Sequence, residues 1–137
     1  MRPVELVMEE LVQQWLQKAD EDLAVARHLI GAGSFSLAAV AFHSQQAAEK
    51  FLEAFLIHRQ IEFPKTHEMG KLLDLVAQAD SQLAASLGAA RTLTPYGVDI
   101  RYPDDFPDIT PDAARAAADL ASMVGLSVKT ALERTGV

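Results

Sequence analysis

His43, Gln46 and Lys50 recur at steps of three and four, so a helix over 36–58 would stack them on one side. Their neighbours Ala39, Val40, Ala47 and Ala54 are apolar, and a mostly buried helix has no structural need for such a cluster. A lysine and a histidine there could hold an anionic group or nucleotide while the glutamine reads an amide or base edge. The plainer reading is a partly exposed stripe bonded to neighbouring helices. Lys18 and Asp22, four apart, either face the same pocket or form a surface pair worth a few tenths of a kcal/mol. His67 follows Thr66, and in a first helical turn its ring would join free amides in binding an anion. It is equally an ordinary capping-region residue. Arg101 and Tyr102 could close over a ligand with a guanidinium fork and a ring, unless Asp99, Asp104 or Asp105 holds the arginine.

These residues need a helical frame. Val12, Leu16, Ala19, Leu23, Ala26 and Ile30 predict a first helix from about Leu11, with Met1 to Glu10 as a frayed lead-in. Gly31-Ala32-Gly33 ends it in a turn short enough to force the second helix antiparallel. Ser34 is the expected N-cap of that helix, which runs to His58 or Arg59 with Ala41, Ser44, Ala48, Phe51 and Phe55 as its packing stripe. Pro64 restricts Phe63 to extended conformations. Thr66 then caps a third helix with Glu68 in its first turn and Met69, Leu72, Leu73 and Val76 inside. A fourth helix is expected from Asp80 through Leu83, Leu87, Ala90 and Leu93, stopping by Pro95. The stretch Tyr96 to Ile109 reads as an ordered loop, long enough to be functional. Thr110-Pro111-Asp112 opens a last helix to about Arg134, in which Gly125 would allow a close helix contact.

The fold expected is all-α: an up-and-down bundle of four to five helices, one domain over 1–137, with alanine-rich faces suited to a homodimer. Half of the 137 residues are apolar, which excludes a disordered chain, and there is no cysteine for disulfides or thiolate metal sites. A net charge of −7 argues against free nucleic acid as the ligand, since coating phosphate backbones takes the opposite balance. No leader pattern and no apolar run of membrane-spanning length is present, so the expected location is the cytoplasm, with no membrane partner. No Glu has a His three residues later, as bundle di-iron sites require. HExxH, P-loop and GxSxG motifs are missing too, so neither a metal nor a cofactor is expected.

Three stretches, WLQKADEDLAVARHLI at 15–30, FHSQQAAEKFLEAFLIHRQIEFPKTHEMGKLL at 42–73 and DIRYPDD at 99–105, resemble the HEPN family (higher eukaryotes and prokaryotes nucleotide-binding domain). The resemblance implies a five-helix, usually dimeric domain, often encoded beside a small nucleotidyltransferase in toxin–antitoxin-like pairs. Other members are ribonucleases whose site is an Arg followed after four to six residues by His. Here Arg27 directly precedes His28, seven residues separate Arg59 from His67, and no later arginine has a histidine after it. The reading is therefore of the branch without that motif: a non-catalytic protein, with no catalytic residue assigned, that binds a nucleotide or a nucleotidyltransferase partner. Lys18, Asp22, His43, Gln46, Lys50, His67, Arg101 and Tyr102 would line the site. Lys50, Arg101 and Lys18 would contact phosphate, Gln46 and Asp22 would orient, and Tyr102 would stack. The alternatives are a ribonuclease with an atypical site and a purely structural dimerisation module.

Overall fold

Pro3 is the N-cap of the first helix, well before the expected start at Leu11. The computed structural model describes residues 3–32, 36–97 and 109–134, and α1 spans Val4–Gly31. The expected frayed lead-in is thus corrected from Val4 onward. The Pro3 carbonyl accepts the amides of Leu6 and Val7 at 3.1 and 3.2 Å. At a helix entry, a proline's missing amide proton would have had no intrahelical partner anyway. Within α1 the seam holds: Val12, Leu16, Ala19 and Ala26 are buried, and Leu23 and Ile30 half-buried.

α2, Leu37–His58, is the central element, packing against α1 and, later in the chain, three further helices. Ala41, Ser44, Ala48, Phe51 and Phe55 are all buried. Ser44 needs no partner from another helix because its hydroxyl donates to the Val40 carbonyl one turn back, at 2.7 Å. The N-cap position is Ser36; Ser34, expected there, lies outside the described residues. At the other end Gln60 turns left-handed, with φ 57°. That turn lets the Ile61 amide return to the Leu56 carbonyl at 2.9 Å and reverses the chain.

α3 spans Met69–Ala79 and buries Met69, Leu72, Leu73 and Val76. Its start differs from expectation. Thr66 accepts the amide of Glu68 at 3.1 Å in a local turn, while the Met69 amide is taken by the Thr94 hydroxyl, also at 3.1 Å. A cap supplied from 25 residues away is invisible to local sequence rules. Glu68 is consequently the N-cap itself, and His67 lies before the helix rather than in its first turn.

The single helix expected after Asp80 is two elements. Asp80 accepts the Leu83 amide at 2.9 Å and caps α4, Ser81–Ser86; a 3₁₀ helix, Gly88–Gly97, follows and contains Pro95. Gly88 lowers helix propensity at the break, and the 3₁₀ stretch tolerates the proline. Leu83, Leu87, Ala90 and Leu93 are buried as expected.

α5, Pro111–Arg134, has the expected ends, with the Thr110 hydroxyl accepting the Ala113 amide at 3.0 Å. Thr110→Ala should lower stability by about 1 kcal/mol, read as an earlier urea midpoint at unchanged m value. Arg27 reaches Asp119 and Ser122 at 3.0 and 2.7 Å, and Lys129 reaches Asp20 at 2.8 Å, joining α5 to α1. These exposed pairs orient the helices and contribute little energy. The molecule is an all-α bundle, with no strand among the described residues and no helix long and apolar enough to cross a membrane.

Candidate functional site

Asp22 is where α1 and α2 exchange charge. Its Oδ1 lies 2.9 Å from His43 Nδ1, and its Oδ2 accepts from Lys50 Nζ. His43 and Lys50 stand two turns apart on α2, so one carboxylate bridges both. Its side chain is only 14% exposed, against 31% for His43 and 26% for Lys50. The acid is tucked beneath, and the two nitrogen groups reach the surface. Lys18 lies one turn before Asp22 on α1 and is exposed at the margin of this face, without an ion pair of its own among the described residues.

Gln46 belongs to a second chain of contacts. Its amide donates to Gln45 Oε1 at 2.7 Å, and Gln45 Nε2 donates to Glu49 Oε2 at 2.9 Å. The same Glu49 oxygen lies 3.0 Å from His67 Nδ1. The chain reversal after α2 makes this possible. Phe63 packs edge-on against Trp15 of α1 at 6.4 Å between ring centroids, and His67 meets Glu49, so residues 61–68 cross the polar side of α2.

Glu53, one turn beyond Glu49, is 5% exposed. Burial and, after it, the neighbouring Glu49 charge push its pKa up to about 8, with Lys50 pulling the other way. It is accordingly a neutral acid at neutral pH. Such a group can hold a proton and release it only in alkali.

Asp22, His43 and Lys50 therefore share one network, and Gln46 and His67 share the adjoining one. Arg101 and Tyr102 lie outside the described residues. Gln45, Glu49 and Glu53 were missed by sequence reasoning. They recur at steps of four, and the signal was present: three polar side chains in line on a mostly apolar helix, next to the His43, Gln46 and Lys50 stripe. A groove of about 460 Å³, lined by Gln13, Leu16, Gln17, Asp20, Lys129, Leu132 and Glu133, opens between α1 and α5. Asp20 and Asp22 are about 200° apart around α1, so this groove is on the other side of that helix from the cluster. Among the described residues no group of three His, Asp or Glu side chains is placed to hold a metal ion.

The HEPN domain profile matches residues 12–130, which includes both networks. The chain belongs to the HEPN family. Its fold is similar to that of TT1696 from Thermus thermophilus, at 30% identity and a TM-score of 0.67, covering 87% of this chain and 96% of that one. No match was found among curated proteins. Membership of the HEPN family points to a nucleotide-related or ribonuclease-like role, and in this chain the polar side of α2 is the region that offers chemistry for one.

Proposed function

We propose that this HEPN protein is a non-catalytic binding module. The α2 face carrying His43, Gln46 and Lys50, with His67 beside it, takes a nucleotide, either free or held by a nucleotidyltransferase partner. The protein acts as a single-domain homodimer within a toxin–antitoxin-like pair. The observation that carries this reading is the double engagement of Asp22, which fixes Lys50 and His43 side by side at the surface. Both acid oxygens are occupied beneath them, so the Lys50 ammonium keeps its remaining donors for phosphate oxygens, while the His43 ring keeps Nε2 free of the acid. Lys18 adds a cation at the rim, and Arg101 and Tyr102 supply a second phosphate contact and a stacking ring.

Titration of the purified protein with ATP, GTP and a short single-stranded RNA, read on the His43 and His67 ring resonances, tests this. Saturable shifts on both rings with intact RNA are expected. Lys50→Met should weaken ATP binding by roughly ten- to a hundredfold, the usual worth of a charge-assisted hydrogen bond. An unchanged dissociation constant in that variant would remove Lys50 from the site.

A ribonuclease reading has one observation in its favour. Each imidazole lies with Nδ1 against a carboxylate, His43 on Asp22 and His67 on Glu49, an arrangement suited to acid–base work at Nε2. It requires RNA cleavage that disappears in both His43→Ala and His67→Ala. Silence from all three ligands, with dimerisation weakened by Lys50→Ala, is the outcome belonging to a purely structural module.

A further inference from the structure

Gln45 is completely buried, yet no apolar role explains it: both polar atoms of its amide are engaged. Oε1 accepts from Gln46 at 2.7 Å. Nε2 faces Glu49 Oε2 at 2.9 Å, the His67 carbonyl at 3.2 Å and the Met69 sulfur at 3.8 Å. The amide can point only one way, because a flipped carbonyl would oppose two other oxygens. One nitrogen thus holds both the acid that meets the His67 ring and the backbone that carries that ring.

The surroundings are built to admit this side chain. A Cβ on Gly97 would fall 2.7 to 2.9 Å from the Gln45 amide atoms, closer than side chains pack. The last residue of the 3₁₀ helix is therefore glycine where the Gln45 amide presses on it.

An ionised carboxylate offers only acceptors, so the His67 nitrogen facing Glu49 must carry the proton. That is the Nδ1–H form, the less populated one in free histidine. In the neutral ring the other nitrogen, Nε2, is then bare, an acceptor turned away from Glu49 and suited to a donor such as a base amino group.

We propose that Gln45 is the positioning residue of this site: its buried amide clamps Glu49 and His67 together, fixes the Nδ1–H form, and makes Nε2 the atom presented to a ligand. The inference rests on the ligand-binding reading above for its functional meaning, and on the contacts alone for its structural one.

The test records long-range proton–nitrogen spectra of the ring nitrogens in labelled protein at pH 7.5, without ligand, for the native chain, Gln45→Met and Gly97→Ala. Methionine keeps the volume and removes the amide; alanine displaces the amide while leaving α2 unaltered. In the native protein His67 should be the Nδ1–H form. In both variants it should move toward the Nε2–H form, while His43, held separately by Asp22, keeps its native signals and reports an intact fold. ATP affinity should fall roughly three- to tenfold in each variant. A His67 ring that stays in the Nδ1–H form in both variants overturns the proposal, whether or not ATP binds. A shifted form together with native ATP affinity overturns its functional half. If the form shifts and the native chain binds no ATP, the clamp stands and the nucleotide reading fails.

Discussion

Gly125→Ala should destabilise the protein by about 1 kcal/mol, and Gly125→Val by roughly 3 kcal/mol, although either substitution would stabilise an isolated helix. The reason is the neighbour. A Cβ at this position would lie 2.7 Å from two ring atoms of Phe51 and 3.2 Å from a third. Phe51 is 1% exposed, sits in the middle of the α2 stripe, and has Lys129 Nζ 5.5 Å from its ring centroid. A close-packed core gives the ring little room to retreat. Helix propensity favours alanine by about 1 kcal/mol, while overpacking costs about 1–3 kcal/mol, and valine adds two further carbons to the same contact. Urea unfolding at constant m value measures the balance. The sign decides: a more stable Gly125→Ala would mean that α5 can move off α2 at no cost. Adding Phe51→Leu should recover part of the loss, with a favourable coupling in the double-mutant cycle.

Glu53→Gln should abolish a fall in stability of about 2–4 kcal/mol that the native protein shows between pH 5 and pH 8. The acid's pKa is raised from 4.5 to about 8 by burial first and by Glu49 second. Between those values the folded chain keeps a proton on Glu53 that the unfolded chain has lost. Folding then takes up a proton, and stability declines by at most about 1.4 kcal/mol per pH unit. The contribution is complete below about 4.5 and gone above about 8. Glutamine mimics the protonated acid at every pH. The variant should match the native protein near pH 5 and exceed it at pH 8.5 in urea unfolding. Since every other titratable group is common to both proteins, the difference between the two curves isolates Glu53. Parallel curves would show that Glu53 ionises without penalty.

Local signals carried much of the architecture. Thr110-Pro111-Asp112 marked the start of α5, and the three-and-four spacing of Ala41 to Phe55 marked the buried stripe of α2, because caps and periodicity act within one or two turns. The close approach at Gly125 could be anticipated for the same reason: a glycine inside a helix costs propensity and needs a packing explanation. The spacing of His43, Gln46 and Lys50, and of Lys18 and Asp22, was enough to single these residues out. It could not say that one carboxylate would bridge His43 and Lys50, since that depends on how α1 slides along α2.

Longer-range contacts settled the rest. α3 begins at Met69 because Thr94 caps it, so His67 sits before the helix and meets Glu49 with its ring. Gln45, Glu49 and Glu53 would be a solvated face on an isolated helix. Gln45 and Glu49 became interior groups when the chain after Gln60 folded back to set His67 against both, and when Gly97 closed against Gln45. Whether a polar side chain is a surface residue or a buried proton carrier depends on what covers it. Sequence spacing specifies which side chains share a face; only tertiary packing specifies which faces lose their water, and desolvation is what gives Glu53 its altered chemistry.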